Sequence, residues 1–318
     1  MIPKILLTGK NGQVGRELAT MLPGIGNVVA LGHAELDLSK PDDIRKLIRS
    51  VNPQLIVNAA AYTAVDKAES EETLATAINA QAPGVMAEEA KKIGATLVHY
   101  STDYVFDGLK TTPYSESDAT NPQSVYGRTK LQGEKAIQQV GVDHLTFRTA
   151  WVYAREGKNF LLAILRLATQ REELRIVRDQ LGAPTSSHEI AAATTQILAQ
   201  LFSRNGNERP IAGVSGTYHM TAGGETSWAG FAEAILELAR ANPPRMPWYA
   251  AATNNLPLIA KRVVPITTAE YPTPARRPAY SVLSNRSVAD TFQTHLPEWR
   301  LQLNSVFAGS QASRMVFL

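Results

Sequence analysis

Short apolar segments alternate with longer amphipathic segments through the first half of this 318-residue chain. Five of the apolar segments are typical of buried strands: KILLTG, NVVALG, QLIVNAA, ATLVHYS and HLTFRTA. The segments between them have the apolar periodicity of helices, at 12–22, 41–51, 72–93 and 122–140. This alternation predicts right-handed βαβ units and a parallel sheet that is covered by helices on both faces. In such sheets ligands bind beyond the carboxyl ends of the strands.

The pattern changes after residue 150. NFLLAILRLATQREE and SSHEIAAATTQILAQLF predict two helices, with a strand in ELRIVRD and a turn in DQLGAPT between them. A further helix is predicted near 226–240, between loop signals in SRNGNERP and ANPPRMP. The last residues, AGSQASRMVFL, have no interpretable pattern. We therefore predict one domain over 1–150, to which part of 180–205 returns, and a smaller α/β lobe over 151–318.

The amino-acid composition limits the classes of molecule that this protein is expected to bind. The 32 basic and 29 acidic residues give a formal net charge of +3 without any block of like charge, which does not suggest nucleic-acid binding. The chain has no cysteine, which excludes disulfides, thiolate metal sites and a cysteine nucleophile, and fits a reducing compartment. The apolar run near the first residue is short for a signal peptide, and no segment approaches the roughly 18 apolar residues of a membrane span. We expect a soluble, cytoplasmic protein without a membrane partner.

Three glycines, Gly9, Gly12 and Gly15, follow the first predicted strand in the segment TGKNGQVG. Gly9 would make a tight turn, Gly12 would let the backbone approach a pyrophosphate, and Gly15 would let the next helix pack on the strand. The N-terminus of that helix would face the phosphates. A lone glycine triplet is equally explained by a structural turn, but its place at the first strand-to-helix junction favours a dinucleotide site.

The second predicted strand ends in VVALGHAELDL, where an acidic residue would hold the adenosine ribose and exclude a 2′-phosphate. Gly32 and His33 stand where that acid is expected, so nothing acidic clearly guards against the phosphate. His33, unless it is a solvated loop residue, or Lys10 would tolerate a 2′-phosphate, which slightly favours NADPH over NADH. Asp37 and Leu38 are candidates to flank the adenine, although Asp37 is equally well explained as an ordinary loop residue.

Tyr126 and Lys130 lie four residues apart in SVYGRTK and would share one face of the helix predicted at 122–140. Lys130 falls on the buried stripe of that helix, where an uncompensated charge is costly. In one interpretation the lysine snorkels to solvent while the tyrosine fills core. In the other, both line a cofactor cleft, where the ammonium and the positive nicotinamide ring lower the pKa of the phenol towards neutrality. Such a phenol can protonate a carbonyl oxygen, to which Thr102 of STDYVFDG would donate a hydrogen bond.

Together, the glycine triplet, NAAAYTAVDKAE, STDYVF and YGRTK resemble the extended short-chain dehydrogenase/reductase family. Within that family, VHYSTDYVFDG, FRTAWVY, DQLGAPT and YPTPARRP are similar to motifs of reductases that act on a 4-keto sugar carried by dTDP. The resemblance implies a Rossmann-type doubly wound parallel sheet that binds NAD(P) over 1–150, and a mainly nucleotide-sugar-binding α/β lobe over 151–318. It implies that NADPH or NADH reduces the C4 keto group of dTDP-4-dehydro-6-deoxy-L-mannose to dTDP-L-rhamnose, the last step of rhamnose donor synthesis.

The resemblance also implies roles for individual residues. Tyr126 would be the general acid, Lys130 would hold the nicotinamide ribose and tune Tyr126, and Thr102 would bind the substrate carbonyl. The implied cofactor-binding residues are Gly9, Asn11, Gly12, Gln13, Val14, Asp37, Leu38, Ala59, Ala60, Ala61, Tyr126 and Lys130. The implied substrate-binding residues are Val65, Thr102, Asp103, Tyr104, Tyr126 and Trp151.

The resemblance implies less specific roles for a few other residues. Trp151 would stack on a sugar face, although a core tryptophan fits the same pattern. Asn79 would brace the backbone, and Arg276 or Arg277 would meet the nucleotide diphosphate, unless both are ordinary surface arginines.

One departure from the family concerns metal. Some relatives form dimers bridged by Mg²⁺ through glutamates, but this chain has His188 and Arg300 near the expected acids. Because cationic or neutral groups weaken a hard-cation site, we expect no structural Mg²⁺. A homodimer, a monomer and association with the upstream epimerase stay open. So do two other functions: reduction or epimerisation of another nucleotide sugar, and a catalytically silent nucleotide-binding regulatory subunit.

Overall fold

The structure, a computed structural model, describes residues 2–203, 211–241 and 246–308. The strands in these ranges are β1 (Lys4–Thr8), β2 (Asn27–Leu31), β3 (Leu55–Asn58), β4 (Thr96–Thr102), β5 (His144–Thr149), β6 (Val152–Tyr153), β7 (Glu173–Val177), β8 (Leu181–Gly182), β9 (Thr185–Ser186), β10 (Gly216–His219), β11 (Thr226–Ser227) and β12 (Arg262–Ile266). Six of them form one sheet in the order β10-β5-β4-β3-β1-β2, and every neighbouring pair is parallel. The predicted parallel α/β fold class is therefore confirmed.

Helices cover both faces of this sheet. The helices are α1 (Gln13–Met21), α2 (Pro41–Val51), α3 (Val65–Ala68), α4 (Glu72–Thr76), α5 (Ala82–Ile93), α6 (Val125–Val140), α7 (Phe160–Ala168), α8 (Ser187–Ser203), α9 (Trp228–Ala241), α10 (Pro247–Thr253), α11 (Arg286–Phe292) and α12 (Trp299–Ala308). Side chains alternate along each strand, so Leu7 packs with α1, α8 and α11 while Leu6 packs with α2, α5 and α6. Two apolar layers thus enclose the sheet.

The strand order reverses next to β1, because β2 lies on one side of β1 and β3 lies on the other. The loops that leave the carboxyl ends of β1 and β3 consequently separate and leave a crevice between them. In open α/β sheets this switch point is where ligands bind.

Local sequence signals set the ends of the helices that flank the crevice. Ser124 caps α6 by accepting a hydrogen bond from the backbone N–H of Gly127 at 3.2 Å. Gly141 ends the helix in the left-handed conformation, with φ of 67°. The helical segment predicted at 72–93 contains a wider turn at 77–81 that carries Asn79. Such wide turns are often found at functional sites.

The rest of the described chain forms a second core and two returning elements. Leu161, Phe231, Trp248 and Leu303 belong to the core shared by α7, α9, α10 and α12. By contrast, α8 packs against α1, and β10 is an edge strand of the main sheet. The domain boundary near 150 stays a prediction. The predicted loop at 204–210, most of ANPPRMP and the segment 309–318 lie outside the described residues. No described helix is long and apolar enough to cross a bilayer.

Candidate active site

A cleft of about 510 Å³ opens at the carboxyl ends of β1 and β3. Eleven of the twelve predicted cofactor residues line it: Gly9, Asn11, Gly12, Gln13, Val14, Leu38, Ala59, Ala60, Ala61, Tyr126 and Lys130. The first half of the chain thus brings its glycine loop and its tyrosine–lysine pair to one cavity.

The glycine loop is shaped by close contact within the protein. Gly9 has a φ of 79°, and a Cβ atom there would lie 2.6 Å from the backbone nitrogen of Ala60. A Cβ atom on Gly15 would overlap the carbonyl of Gly9, so only glycine lets α1 pack so near the loop. Position 12 is less crowded, with the Gly9 oxygen at 3.3 Å as the neighbour of a built Cβ. The backbone at Gly12 is therefore open to an approaching ligand.

The cleft fits a dinucleotide on two further observations. Helix α1 has no acidic residue in its first turn and no side-chain cap, which leaves its N-terminal dipole available to an anion. Three buried polar atoms of cleft-lining residues have no hydrogen-bond partner in the described chain: Gln13 Oε1, Ser101 Oγ and Thr149 Oγ1. Because unpaired buried polar atoms are costly, a polar ligand in this cleft would stabilise all three.

An acidic residue, Glu35, reaches the end of β2, although it is not among the residues that line the cleft. Its Oε2 accepts a hydrogen bond from the Gly32 backbone N–H at 2.8 Å, and its Oε1 lies 2.5 Å from Lys10 Nζ. The Lys10 hydrogen bond, followed by the Gly32 N–H, lowers the pKa of Glu35. The loop folds back on itself, so an acid three residues beyond Gly32 reaches the end of the strand. His33 lines the cleft and is exposed.

Asp37 is the predicted cofactor residue that does not line the cleft. Its Oδ1 instead accepts hydrogen bonds from the hydroxyl of Ser39 at 2.7 Å and from its backbone N–H at 2.9 Å, and these lower the pKa of Asp37. Leu36 and Leu38, on either side of it, do line the cleft. The loop therefore presents the side chains of Leu36 and Leu38 to the cavity, while the Asp37 carboxylate stabilises a turn within the loop itself.

The three predicted catalytic residues lie together. Tyr126 and Lys130 are one turn apart on α6 and both line the cleft. Thr102 ends β4, and its hydroxyl lies close to that of Tyr126. The same Thr102 hydroxyl donates to Asp103 Oδ1 at 2.9 Å and accepts from the Tyr104 backbone N–H at 3.2 Å. A strand end and a helix face thus supply adjacent hydroxyl groups beside a lysine.

The expected lowering of the Tyr126 pKa is not seen in this structure. Burial raises the pKa of Tyr126 to about 12, and the nearby Thr102 hydroxyl opposes this only in part. Lys130 does not offset the effect, because its Nζ donates to the Tyr100 carbonyl at 2.5 Å and lies 3.3 Å from His99 Nε2. The snorkelling alternative is also wrong, since Lys130 is only 1% exposed and burial lowers its pKa to about 8.

Two predicted substrate residues, Tyr104 and Asp103, lie close to Tyr126, and a third, Val65, lies on a helix that packs against α6. The Tyr104 ring meets Tyr126 edge-on, with centroids 5.5 Å apart. Asp103 is buried, its Oδ2 has no partner in the described chain, and burial raises its pKa to about 6. Val65 begins the short helix α3, which packs against α6. Asp103 therefore has an acceptor atom free for a ligand.

Trp151 does not present a free ring in this structure. Its indole stacks on that of Trp228, with centroids 3.5 Å apart and planes 3° from parallel. The backbone of Trp151 has a φ of 48°, an unusual value for a bulky residue. A Cβ atom on Gly182 would lie 2.5 Å from the Trp151 ring, so glycine is required there. Trp228 could not be selected from sequence patterns, because its partner lies 77 positions away in the chain.

Both candidate arginines line a second cleft of about 440 Å³. Arg277 is half-buried and its Nη2 pairs with Asp66 Oδ2 at 2.9 Å. Arg276 is exposed, and its Nη1 reaches Gln123 Oε1 at 3.4 Å. Within the described ranges no carboxylate pairs with Arg276. Its charge is consequently the more available of the two.

Asn79 has the backbone contacts that the resemblance implies. Its Oδ1 accepts from the Tyr62 N–H at 2.9 Å, and its Nδ2 donates to the Tyr62 carbonyl at 3.1 Å. At the expected metal position, His188 Nδ1 lies 3.1 Å from Glu17 Oε2, whereas Arg300 pairs with Glu237. The expectation of no structural Mg²⁺ stays a prediction.

Several cleft residues were missed from the sequence: Thr8, Thr63, Ser101, Thr149, Val152, Gly157 and Lys158. Their positions after strands β1, β3, β4 and β5 were the available signal, because every carboxyl end of a parallel sheet faces the same side. Gly157 and Lys158 come from the loop after β6, for which spacing gave no signal.

The main sheet is parallel and doubly wound, and a glycine-loop cleft lies at its switch point with a threonine, a tyrosine and a lysine beside it. These features define a short-chain dehydrogenase/reductase type of protein. The family model described as RmlD substrate binding domain matches residues 3–312. The chain belongs to this family, and the resemblance seen in its motifs is confirmed.

Named relatives cover nearly the whole chain. A dTDP-4-dehydrorhamnose reductase of Burkholderia thailandensis is 51% identical over 93% of this chain and 95% of its own length. The crystal structure of a dTDP-4-dehydrorhamnose reductase from Bacillus anthracis in complex with NADP is 30% identical, with a TM-score of 0.83 over 97% of this chain and 99% of that one. The enzyme of that name from Clostridium acetobutylicum is 35% identical, with a TM-score of 0.82 over 96% and 98% of the two chains.

Proposed function

We propose that this protein reduces the C4 keto group of dTDP-4-dehydro-6-deoxy-L-mannose to dTDP-L-rhamnose, with NADPH or NADH as the reductant. The observation that carries the proposal is that Tyr126 and Lys130 line the cleft and that Thr102, at the end of β4, lies beside Tyr126. The substrate comes from the family and from relatives that carry the name dTDP-4-dehydrorhamnose reductase. The NADP held by one solved relative supports the cofactor.

The chain's own residues supply binding and the proton. Bound NADPH or NADH supplies the hydride that adds to the sugar carbonyl carbon. The loop from Gly9 to Val14, the α1 N-terminus and residues 59–61 hold the cofactor. Thr102 orients the carbonyl oxygen, and Tyr126 transfers its phenolic proton to that oxygen to complete the alcohol. With its pKa raised to about 12, Tyr126 is protonated at neutral pH and so holds the proton that this step needs.

The sugar and the nucleotide diphosphate of the substrate are proposed to bind in different clefts. Asp103 and Tyr104 lie close to Tyr126, Val65 lies on a helix that packs against α6, and all three are proposed to bind the sugar. The nucleotide diphosphate is proposed to lie in the second cleft against Arg276, because Arg277 already pairs with Asp66. The lobe over 151–318 is the proposed substrate domain, the cytoplasm the proposed compartment, and association with a second copy or with the upstream epimerase stays open.

The test is oxidation of NADPH and of NADH, followed by absorbance, with the keto sugar made in place by its upstream enzymes. Rapid oxidation with dTDP-L-rhamnose as product is expected, and the ratio of the two rates gives the cofactor preference. Cofactor binding without oxidation would instead indicate another nucleotide sugar or a regulatory subunit.

Variants then test the roles. Tyr126→Phe should keep cofactor affinity and lower kcat by at least about a hundredfold, because a positioned acid is lost.

Lys130→Met should weaken both cofactor affinity and rate. Tyr249→Phe in α10 is the matched control and should leave both unchanged. Unaltered turnover in Tyr126→Phe would remove Tyr126 from the mechanism.

A further inference from the structure

A chain of buried polar side chains runs from Lys130 into the sheet. Lys130 Nζ lies 3.3 Å from His99 Nε2, and His99 Nδ1 lies 3.1 Å from Asn58 Nδ2. Asn58 Oδ1 accepts a hydrogen bond from Thr8 Oγ1 at 2.7 Å. His99 is fully buried, and Asn58 and Thr8 are 1% and 2% exposed. These groups have one another, rather than water, as hydrogen-bond partners.

The orientation of the Asn58 amide is fixed by the backbone. The N–H of Ala60 donates to Asn58 Oδ1 at 3.2 Å, and a backbone N–H can only donate. Rotating the amide by half a turn would place the Nδ2 donor of Asn58 against the Ala60 N–H, which is also a donor. The network therefore assigns Nδ2 of Asn58 to the side that faces His99, where it donates to Nδ1.

This assignment fixes the proton of His99. A neutral imidazole carries one N–H, and if Nδ1 accepts from Asn58, the N–H is on Nε2. Burial holds the pKa of His99 well below its ordinary value, so the ring is neutral. The Nε2–H then points at Lys130 Nζ. An ammonium group has only donors, so the contact is a hydrogen bond only when Lys130 is an uncharged amine.

The other groups near Lys130 are compatible with an amine. An N–H of the amine still donates to the Tyr100 carbonyl of β4 at 2.5 Å. On α6, Glu134 favours the charged lysine, but its carboxylate is bound by Arg148 of β5 at 2.7 Å. Tyr126, on the same helix, is protonated at neutral pH. On β5, His144 acts through charge on His99 rather than on Lys130.

We propose that His99 is a positioning residue: above about pH 8 its Nε2–H donates to the uncharged amine of Lys130 in the cofactor-free protein and keeps that amine ready to accept a proton when cofactor binds. The inference rests on the proposed function, since it concerns the lysine of that mechanism. On binding, Lys130 Nζ takes one proton from solvent, leaves His99 and donates to the cofactor. Above about pH 8 the positive charge beside Tyr126 therefore arises only in the complex. In the free protein burial is the main cause of the raised Tyr126 pKa.

The direct test is ¹⁵N NMR of the full, histidine-labelled chain without cofactor. At about pH 8 to 9 His99 should show an unprotonated Nδ1 and a protonated Nε2 that do not titrate. The signal is assigned by its loss in His99→Gln, or by backbone correlation if that variant does not fold. A proton on Nδ1, or a charged ring, would overturn the proposal whether or not the protein proves to be a reductase.

Calorimetry of NADPH binding in buffers of different ionisation enthalpy gives the second test. At about pH 8 the unaltered chain should take up a substantial fraction of one proton. In His99→Gln the amide oxygen can accept from an ammonium, so uptake should fall by more than half while binding persists. The exposed His295→Gln is the matched control and should keep the full uptake. Binding by the unaltered chain without proton uptake would also overturn the proposal. Catalysis that fails with the His99 tautomer intact would count against the proposed function alone.

Discussion

Glu35 lies at the end of β2, where a bound NADPH would be expected to place its 2′-phosphate. A 2′-phosphate would bring negative charge to the end of β2, where Glu35 accepts from Gly32 and pairs with Lys10. The pair neutralises Lys10 and places an acid beside the end of β2. We therefore expect discrimination between the cofactors to depend on this loop ion pair.

Replacing this acid should shift the preference. In Glu35→Gln the carboxylate is lost and Lys10 is freed, so the ratio of kcat/KM for NADPH to that for NADH should rise by about twofold to fivefold, the scale of exposed charge interactions. Steady-state kinetics with both cofactors measures it. Asp37→Asn, whose side chain lies outside the cleft, is the control and should leave the ratio unchanged. A ratio that falls in Glu35→Gln would show that the acid does not act on the phosphate.

Single residues differ in how well the sequence predicts them. Gly9 and the Tyr126–Lys130 pair follow from local spacing, because turns and helix faces are fixed within a few residues. The place of Glu35 depends on how its loop folds, and the raised pKa of Tyr126 depends on burial by distant strands. Neither can be read from spacing.

At the scale of elements, periodicity predicts well where the pattern is local. Helix α2 spans Pro41–Val51, the range predicted from its periodicity, because a proline in its first turn and Asn52 after it mark the two ends. Contacts between elements that are distant in the sequence cannot be predicted from local periodicity. The start of α9 reaches the turn before β6 only through the tertiary fold, so the stack of Trp151 and Trp228 had no signal in the sequence.

This stack should hold the indole of Trp151 at the mouth of the site. In Trp228→Phe the parallel overlap is reduced, and we expect loss of the paired-indole signal in near-ultraviolet circular dichroism. Stability should fall by about 1 kcal/mol, the scale of an aromatic pair, and the KM for the sugar should rise more than kcat falls.

Trp248→Phe is the matched control, because Trp248 is buried in the second core away from Trp151. It should change stability while keeping the paired signal. If Trp228→Phe retained that signal, the two indoles would not be stacked in solution.

At the scale of the whole molecule, the two predicted domains share one core. The apolar layer against β1 and β5 includes Ile190 and Ile197 of α8, Met220 after β10, and Phe292 of α11. Strand β10 pairs with β5, so β5 is an interior strand only when the later chain is present. The alternation over 1–150 predicted the sheet, and part of 180–205 was expected to return to it, but nothing local indicated that β10 and α11 would join it as well.

The fragment 1–150 should therefore not fold alone. It lacks α8 and α11, which would leave one apolar face of the sheet uncovered, and it exposes β5 as an edge strand prone to pairing with other chains. We expect the fragment to be aggregated and to bind no NADPH, whereas its coexpression with 151–318 should restore a soluble complex that binds cofactor. Size-exclusion chromatography and fluorescence titration with NADPH measure the two properties. A soluble, monomeric 1–150 fragment with the cofactor affinity of the full chain would show instead that the returning helices are dispensable and that the boundary at 150 is a true domain limit.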